Sequence, residues 1–280
     1  MQTVYDVIDK LLPFKELEMT FMKNAFIAIL ILCPILGIIG TLVVNKNMSF
    51  FSESLGHSAF TGIALGVIMG IKNPTVSLIL FGIIFALCIV YIRSKNFASN
   101  DTTIAVFSAT SIALGIALLS FRGGLNQFTS YLSGDILSIT VRDIISLLIV
   151  AIFVLVYIAV CFNKLLLLSV NQSLASSRGI NKNANETVFM VVTAVVVMVA
   201  IKWVGMLLIN AMLIMPAASS RNCASNVRTY LLGAVLISTV CGIAGLLMSY
   251  SLGIPSGATI IMLCAICYFL TLLVRSLKKS

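Results

Sequence analysis

Apolar positions run in long, nearly unbroken stretches along the chain, parted by short polar clusters. The stretches cover residues 21–44, 50–71, 74–93, 102–120 and 142–162. After a polar interval from Asn163 to Asn185 they resume at 187–203, 204–220, 229–250 and 256–275. Each is near the roughly 20 residues that a helix needs to cross a hydrocarbon core. The roughly ten-residue alternating segments of a closed barrel are absent. The pattern therefore predicts an all-α, polytopic helical membrane protein with eight to nine transmembrane helices. The count turns on 187–203 and 204–220, which are parted by little more than Lys202, Trp203 and Gly205. One of these two is a candidate for a broken or re-entrant helix.

Between the spans lie segments with their own logic. Residues 4–18, VYDVIDKLLPFKELE, mix apolar and charged positions around Pro13, so 1–20 reads as an interfacial segment. Residues 122–140, RGGLNQFTSYLSGDILSIT, are too polar to cross and too apolar for an ordinary loop. They predict a half-inserted element, with Asp135 after Gly134 at the start of a short helix. Asn100-Asp101-Thr102-Thr103 reads as the cap of the fourth span. Pro216 is expected to kink the seventh span or end its regular part, and Pro255 suits the start of the last. The organisation expected is one transmembrane domain over residues 1–280.

Composition agrees with the pattern. The 280 residues are 60% hydrophobic and 10% charged, with mean hydropathy +1.13, against about 25% charged residues in a soluble domain. The net charge of +9 does not point to nucleic acid, because Lys and Arg stand singly between apolar runs. Their distribution sets an orientation instead. With 163–185 in the cytoplasm, the inner side carries Lys46, Arg93, Lys95, Lys164, Arg178, Lys182, Arg221, Arg228, Arg275, Lys278 and Lys279. That leaves the N-terminus outside and the C-terminus inside for nine spans. The seven cysteines lie mostly in apolar stretches, and Cys264-Cys267, although a CxxC, sits inside a span. They read as packing residues rather than redox or metal centres. No cleavable leader is expected, since the first twenty residues mix both charge signs.

One pair of residues does not fit a purely structural span. Glu53 and His57, the latter the sole histidine, lie in FSESLGHSAFTGIALGVIMG, residues 51–70. Their i, i+4 spacing puts them on one helix face, and His57 lies roughly 10 Å along the helix. A charge at bilayer depth costs about 2.5–3.5 kcal/mol on insertion scales. A carboxylate and an imidazole at this spacing suit a divalent transition metal: zinc accepts both, and so do manganese and iron. The structural alternative is a pair satisfied by each other or by a neighbouring helix, with Ser54, Gly56, Ser58 and Ala59 serving close packing. One helix offers only two ligands. A symmetric dimer with this face on its axis would offer two Glu and two His.

No GxxxxGK[ST] phosphate loop occurs, so nucleotide-driven work would need a second chain. The 163–185 loop then matters as a cytoplasmic contact, and Leu174-Ala175-Ser176-Ser177-Arg178-Gly179 predicts a short helix along the membrane surface.

Ordered motifs extend this reading. The run Ser52-Glu53-Ser54-Leu55-Gly56-His57-Ser58 followed by Thr61-Gly62-Ile63-Ala64-Leu65-Gly66 resembles the Ser-Asp-Ala-Leu-Ser-His-Ala pattern and small-residue run of the ABC-3 permeases. These are the integral-membrane subunits of zinc, manganese and iron ABC importers. Further similarity lies in DTTIAVFSATSIALGIALLS (101–120), YLSGDILSIT (131–140), LASSRGI (174–180), KWVGMLLINAMLIMPAASSR (202–221) and GLLMSYSLGIPSGATIIM (245–262). The set keeps the family's order from about residue 20 onward.

The resemblance implies the permease fold of type II, vitamin B12-importer-like, ABC importers in a prokaryotic cell membrane. It implies a homodimeric or pseudo-dimeric pore, cytoplasmic ATPase subunits and an external metal-binding protein. Glu53 takes the place of the family's aspartate and His57 of its histidine, the residues thought to meet the ion. Residues 174–179 match the coupling region for the ATPase. The metal is then the transported substrate, no cofactor is held permanently, and ATP hydrolysis belongs to a partner chain. Two departures are Glu for Asp and Gly56 for the usual serine. Competing readings are a proton-coupled secondary transporter that uses Glu53 and His57 as a relay, and a non-transporting scaffold.

Overall fold

Long apolar runs fold as helices because no water is available in a bilayer to satisfy backbone N–H and C=O groups. The computed structural model describes residues 5, 19–71, 73–95, 100–121, 134 and 136–279. Among them there is no strand. The helices are α1 (Thr20–Asn45), α2 (Ser49–Ile68), α3 (Pro74–Ser94), α4 (Asn100–Phe121) and α5 (Val141–Val170). They continue with α6 (Gln172–Ser177), α7 (Lys182–Val204), α8 (Met206–Cys223), α9 (Val227–Leu252) and α10 (Ser256–Lys279).

The nine expected spans correspond to the nine long helices of this series. Seven of them, α1, α3, α4, α5, α7, α9 and α10, are long and apolar enough to cross a membrane by length and composition alone. The other two, α2 and α8, are the more polar helices. Such helices cross only where neighbouring helices cover their polar groups.

Several boundaries differ from the sequence reading. The polar interval 163–185 is mostly helical: α5 runs on to Val170 and α7 begins at Lys182. Leu165 and Leu168 are buried, which holds this end of α5 in place beyond Asn163 and Lys164. Pro216 does not end its helix, since α8 continues to Cys223. The interfacial segment 4–18 lies outside the described residues except for Tyr5, as do residues 122–133 and Asp135 of the half-inserted element. The described part of that element is a 3₁₀ turn at Ile136–Ser138, with Ile136 and Ile139 buried.

Contacts divide the chain into two units. One comprises Met1–Thr41, Ser133–Ile152 and Trp203–Ser280, and the other Leu42–Leu132 and Phe153–Lys202. In the first unit, α8, α9 and α10 pack on one another and on the first part of α1. Here Ser238 donates to the Cys33 carbonyl at 2.8 Å, and the Cys264 thiol lies 3.6 Å from the Met212 sulfur. The described cysteines are all free thiols, and Cys33, Cys241 and Cys264 are buried in this packing. The break between α7 and α8 falls at Gly205, with φ 79 and ψ 156. A side chain is disfavoured there, and the Gly134 backbone packs directly on the Gly205 amide.

The second unit holds α2, α3, α4, most of α7, the later part of α5, and α6. Here α2 packs on α3 and α4. On α3, Gly82 leaves room for the Met198 side chain of α7, where a Cβ would come within 2.6 Å.

Candidate functional site

α2 is held on most of its circumference. Ser52, Ser54, Gly56, Ser58 and Ala59 are buried on it. The Thr61 hydroxyl donates to the Ser111 carbonyl of α4, and the Ser77 hydroxyl of α3 donates to the Gly62 carbonyl. A Cβ on Gly115 of α4 would stand 2.7 Å from the Thr61 nitrogen and 2.9 Å from the Phe60 carbonyl carbon. The two backbones therefore meet directly, which is the use of small residues between membrane helices.

The remaining face of α2 carries Glu53 and His57, with side chains 51% and 31% exposed. Glu53 Oε1 and His57 Nε2 are 3.9 Å apart. That is too long for a hydrogen bond between the two side chains. Two ligands about 2.0–2.2 Å from one ion stand roughly 3–3.5 Å apart. A small rotamer adjustment brings both groups to that spacing. Among the described residues, no group of three His, Cys, Asp or Glu forms a metal cage. The chain thus presents two convergent donors, an N and an O, on an open face.

The predicted coupling segment forms α6, shifted slightly towards the N-terminus relative to 174–179. The Asn171 side chain caps it by accepting from the Leu174 amide at 3.0 Å. Gly179, at φ 71, turns the chain after it, and the Ile180 amide returns to the Ala175 carbonyl at 3.1 Å. Ala175 is buried, whereas Leu174 is 45% exposed. Ser176, Ser177 and Arg178 are exposed as well. A short capped helix pinned at Ala175 and presenting a leucine outward has the form of a docking element.

The same unit holds a group that sequence reasoning missed. Arg93, in the last turn of α3, places Nη2 3.7 Å from Glu186 Oε1 of α7. Lys46, between α1 and α2, holds its ammonium 5.5 Å from the centroid of the Phe189 ring. Burial pushes the Lys46 ammonium below the usual lysine range, and the Glu186 charge opposes that shift. In the sequence these cations read only as topology-setting charges; the one available signal was an acid, Glu186, on the same side as them.

Comparison with known proteins places this geometry in context. Residues 18–275 match the ABC 3 transport family. The chain is 30% identical to the manganese import system permease protein ScaB of Streptococcus parasanguinis over 260 residues, covering 93% of this chain and 92% of that one. It is 29% identical to the high-affinity zinc uptake system membrane protein ZnuB of Haemophilus influenzae over 247 residues, 88% and 94% of the two. Among solved structures, PsaBC from Streptococcus pneumoniae in complex with Fab superposes with a TM-score of 0.81 at 26% identity, covering 97% of this chain and 95% of that chain. An inward-facing putative metal-chelate type ABC transporter shares the fold, with a TM-score of 0.69 at 16% identity. The match spans nearly the whole chain in sequence and in fold: the chain belongs to the ABC 3 transport family.

Proposed function

We propose that this multi-pass membrane permease is the transmembrane subunit of an ABC importer that moves a divalent transition metal ion (zinc, manganese or iron) into a prokaryotic cell. The observation that carries the reading is the match along 93% of the chain to a permease named for manganese import, joined by one named for zinc uptake. Glu53 and His57 on the open face of α2 supply the chemistry. An ionised carboxylate and a neutral imidazole meet the ion as it sheds water. An incomplete donor set binds weakly enough to release it. A second copy of the chain, with the same face on the symmetry axis, would bring the ligands to two Glu and two His.

ATP hydrolysis resides in a cytoplasmic partner docked on α6 through Leu174, Ala175, Ser176, Ser177, Arg178 and Gly179, and an external metal-binding protein delivers the ion. The relatives support this reading and not the proton-coupled secondary transporter, which would work from this chain alone. The deciding experiment is metal uptake by the complex of this chain, its ATPase and its donor protein in proteoliposomes. Wild type is compared with Glu53→Gln and His57→Ala over zinc, manganese and iron(II). Uptake that needs ATP and collapses in both variants while the complex stays assembled supports the assignment. Uptake by the chain alone that stops when the proton gradient is dissipated would overturn it.

A further inference from the structure

We propose that Lys46, Glu186 and Arg93 form an electrostatic junction that passes movement of α6 to the start of α2, and so position Glu53 and His57 without touching the ion. This inference rests on the importer reading above.

Three connections carry it. The link from α6 to α7 is short and shaped: Gly179 turns the chain, and the Asn181 side chain accepts from the Ala184 amide at 3.2 Å at the start of α7. Displacement of α6 is therefore delivered to the first turns of α7. There Glu186, Phe189 and Met190 share one face by their i, i+3, i+4 spacing. All three meet cations. Arg93 approaches Glu186 at 3.7 Å and donates through Nη1 to the Met190 sulfur at 3.7 Å, while Lys46 lies over Phe189.

The Lys46 end is stiff. The Met48 amide donates to the Val43 carbonyl at 3.0 Å and the Phe51 amide to the Met48 carbonyl at 3.1 Å. Met48 and Phe51 are buried. A pull on Lys46 is thus taken up by the first turn of α2, just before Glu53, instead of being lost in a loose connection. Arg93 and Glu186 are only 15% and 21% exposed, so their attraction is less screened than that of a surface pair. Glu186 is the anion that both Arg93 and Lys46 feel. Removing its charge leaves two neighbouring half-buried cations without that counter-charge.

The test is the ratio of metal imported to ATP hydrolysed by the reconstituted complex, measured for wild type, Glu186→Gln, Glu186→Asp and Lys46→Met. We expect Glu186→Gln and Lys46→Met to keep assembly and ATP hydrolysis within about twofold of wild type. The ratio should fall at least fivefold in both, with the metal concentration for half-maximal uptake unchanged, and Glu186→Asp should recover part of it. A wild-type ratio in both charge-removing variants overturns the junction. So does a parallel fall of uptake, hydrolysis and assembly in both, which marks a merely structural role. Should Glu186→Gln alone fail to assemble, Lys46→Met decides. Failure of the wild-type complex to import metal would instead overturn the importer reading, and is read independently of the variants.

Discussion

Glu53 Oε1 and His57 Nε2 face each other across 3.9 Å, one helical turn apart on the exposed side of α2. In the proposed site both donors would meet a cation only when deprotonated, so protons and metal would compete for the same two groups. Acidifying the side from which the ion enters should raise the metal concentration for half-maximal uptake. It should leave uptake at saturating metal less affected. Initial uptake rates over a range of metal concentrations at several pH values, with ATP fixed, check this. In His57→Ala the part of the pH dependence that the imidazole contributes should disappear.

Leu174 is 45% exposed on α6, while its neighbour Ala175 is buried. An apolar side chain held outward by a capped helix is expected to enter a groove on the ATPase. Leu174→Asp should therefore reduce recovery of the ATPase subunit in co-purification by about tenfold or more, roughly 1.4 kcal/mol or greater in binding. The melting temperature of the isolated permease should stay within a few degrees of wild type, because the residue supports no core.

Gly115 marks where the backbones of α4 and α2 meet, since a Cβ at this position would stand only 2.7 Å from the Thr61 nitrogen. Gly115→Ala forces the helices apart and weakens the Thr61–Ser111 hydrogen bond. Overpacking of this kind costs about 1–3 kcal/mol. Thermal unfolding in detergent should show a lowered midpoint. Metal uptake should fall too, since α2 carries Glu53 and His57.

Gly205 adopts φ 79 and ψ 156, a conformation nearly closed to other residues. Gly205→Ala should cost about 1–3 kcal/mol from backbone strain alone. The junction leaves little room to relax that strain, because the Gly134 backbone packs on the Gly205 nitrogen. The expected result is loss of thermal stability larger than that of Ala substitution at Gly179, where φ is also positive but the added Cβ meets nothing within 4 Å.

The helical class, the spans and the Glu53–His57 pair were legible in the residues, because hydropathy and i, i+4 spacing are local properties. An apolar run must form a helix in lipid whatever surrounds it, and two residues four apart share a face in any helix. The short α6 was also legible, although its bounds moved by two residues to Gln172–Ser177. The extension of α5 to Val170 was not, because Asn163 and Lys164 suggested the start of a loop although four leucines follow them. Burial of Leu165 and Leu168 holds those turns in place, and burial is a property of neighbours.

The same division runs through the site. The residues alone showed that Glu53 and His57 share a helix face and that 174–179 could form a short helix, since both follow from spacing along the chain. Only the tertiary structure decided that α3 and α4 grip the small-residue side of α2 and leave Glu53 and His57 on its open face. It alone brought Lys46, Arg93 and Glu186 together, although α2 to α6 all lie between Lys46 and Glu186 along the chain. Contacts between distant segments depend on how whole helices pack, and no local pattern of hydrophobic and polar positions encodes that packing.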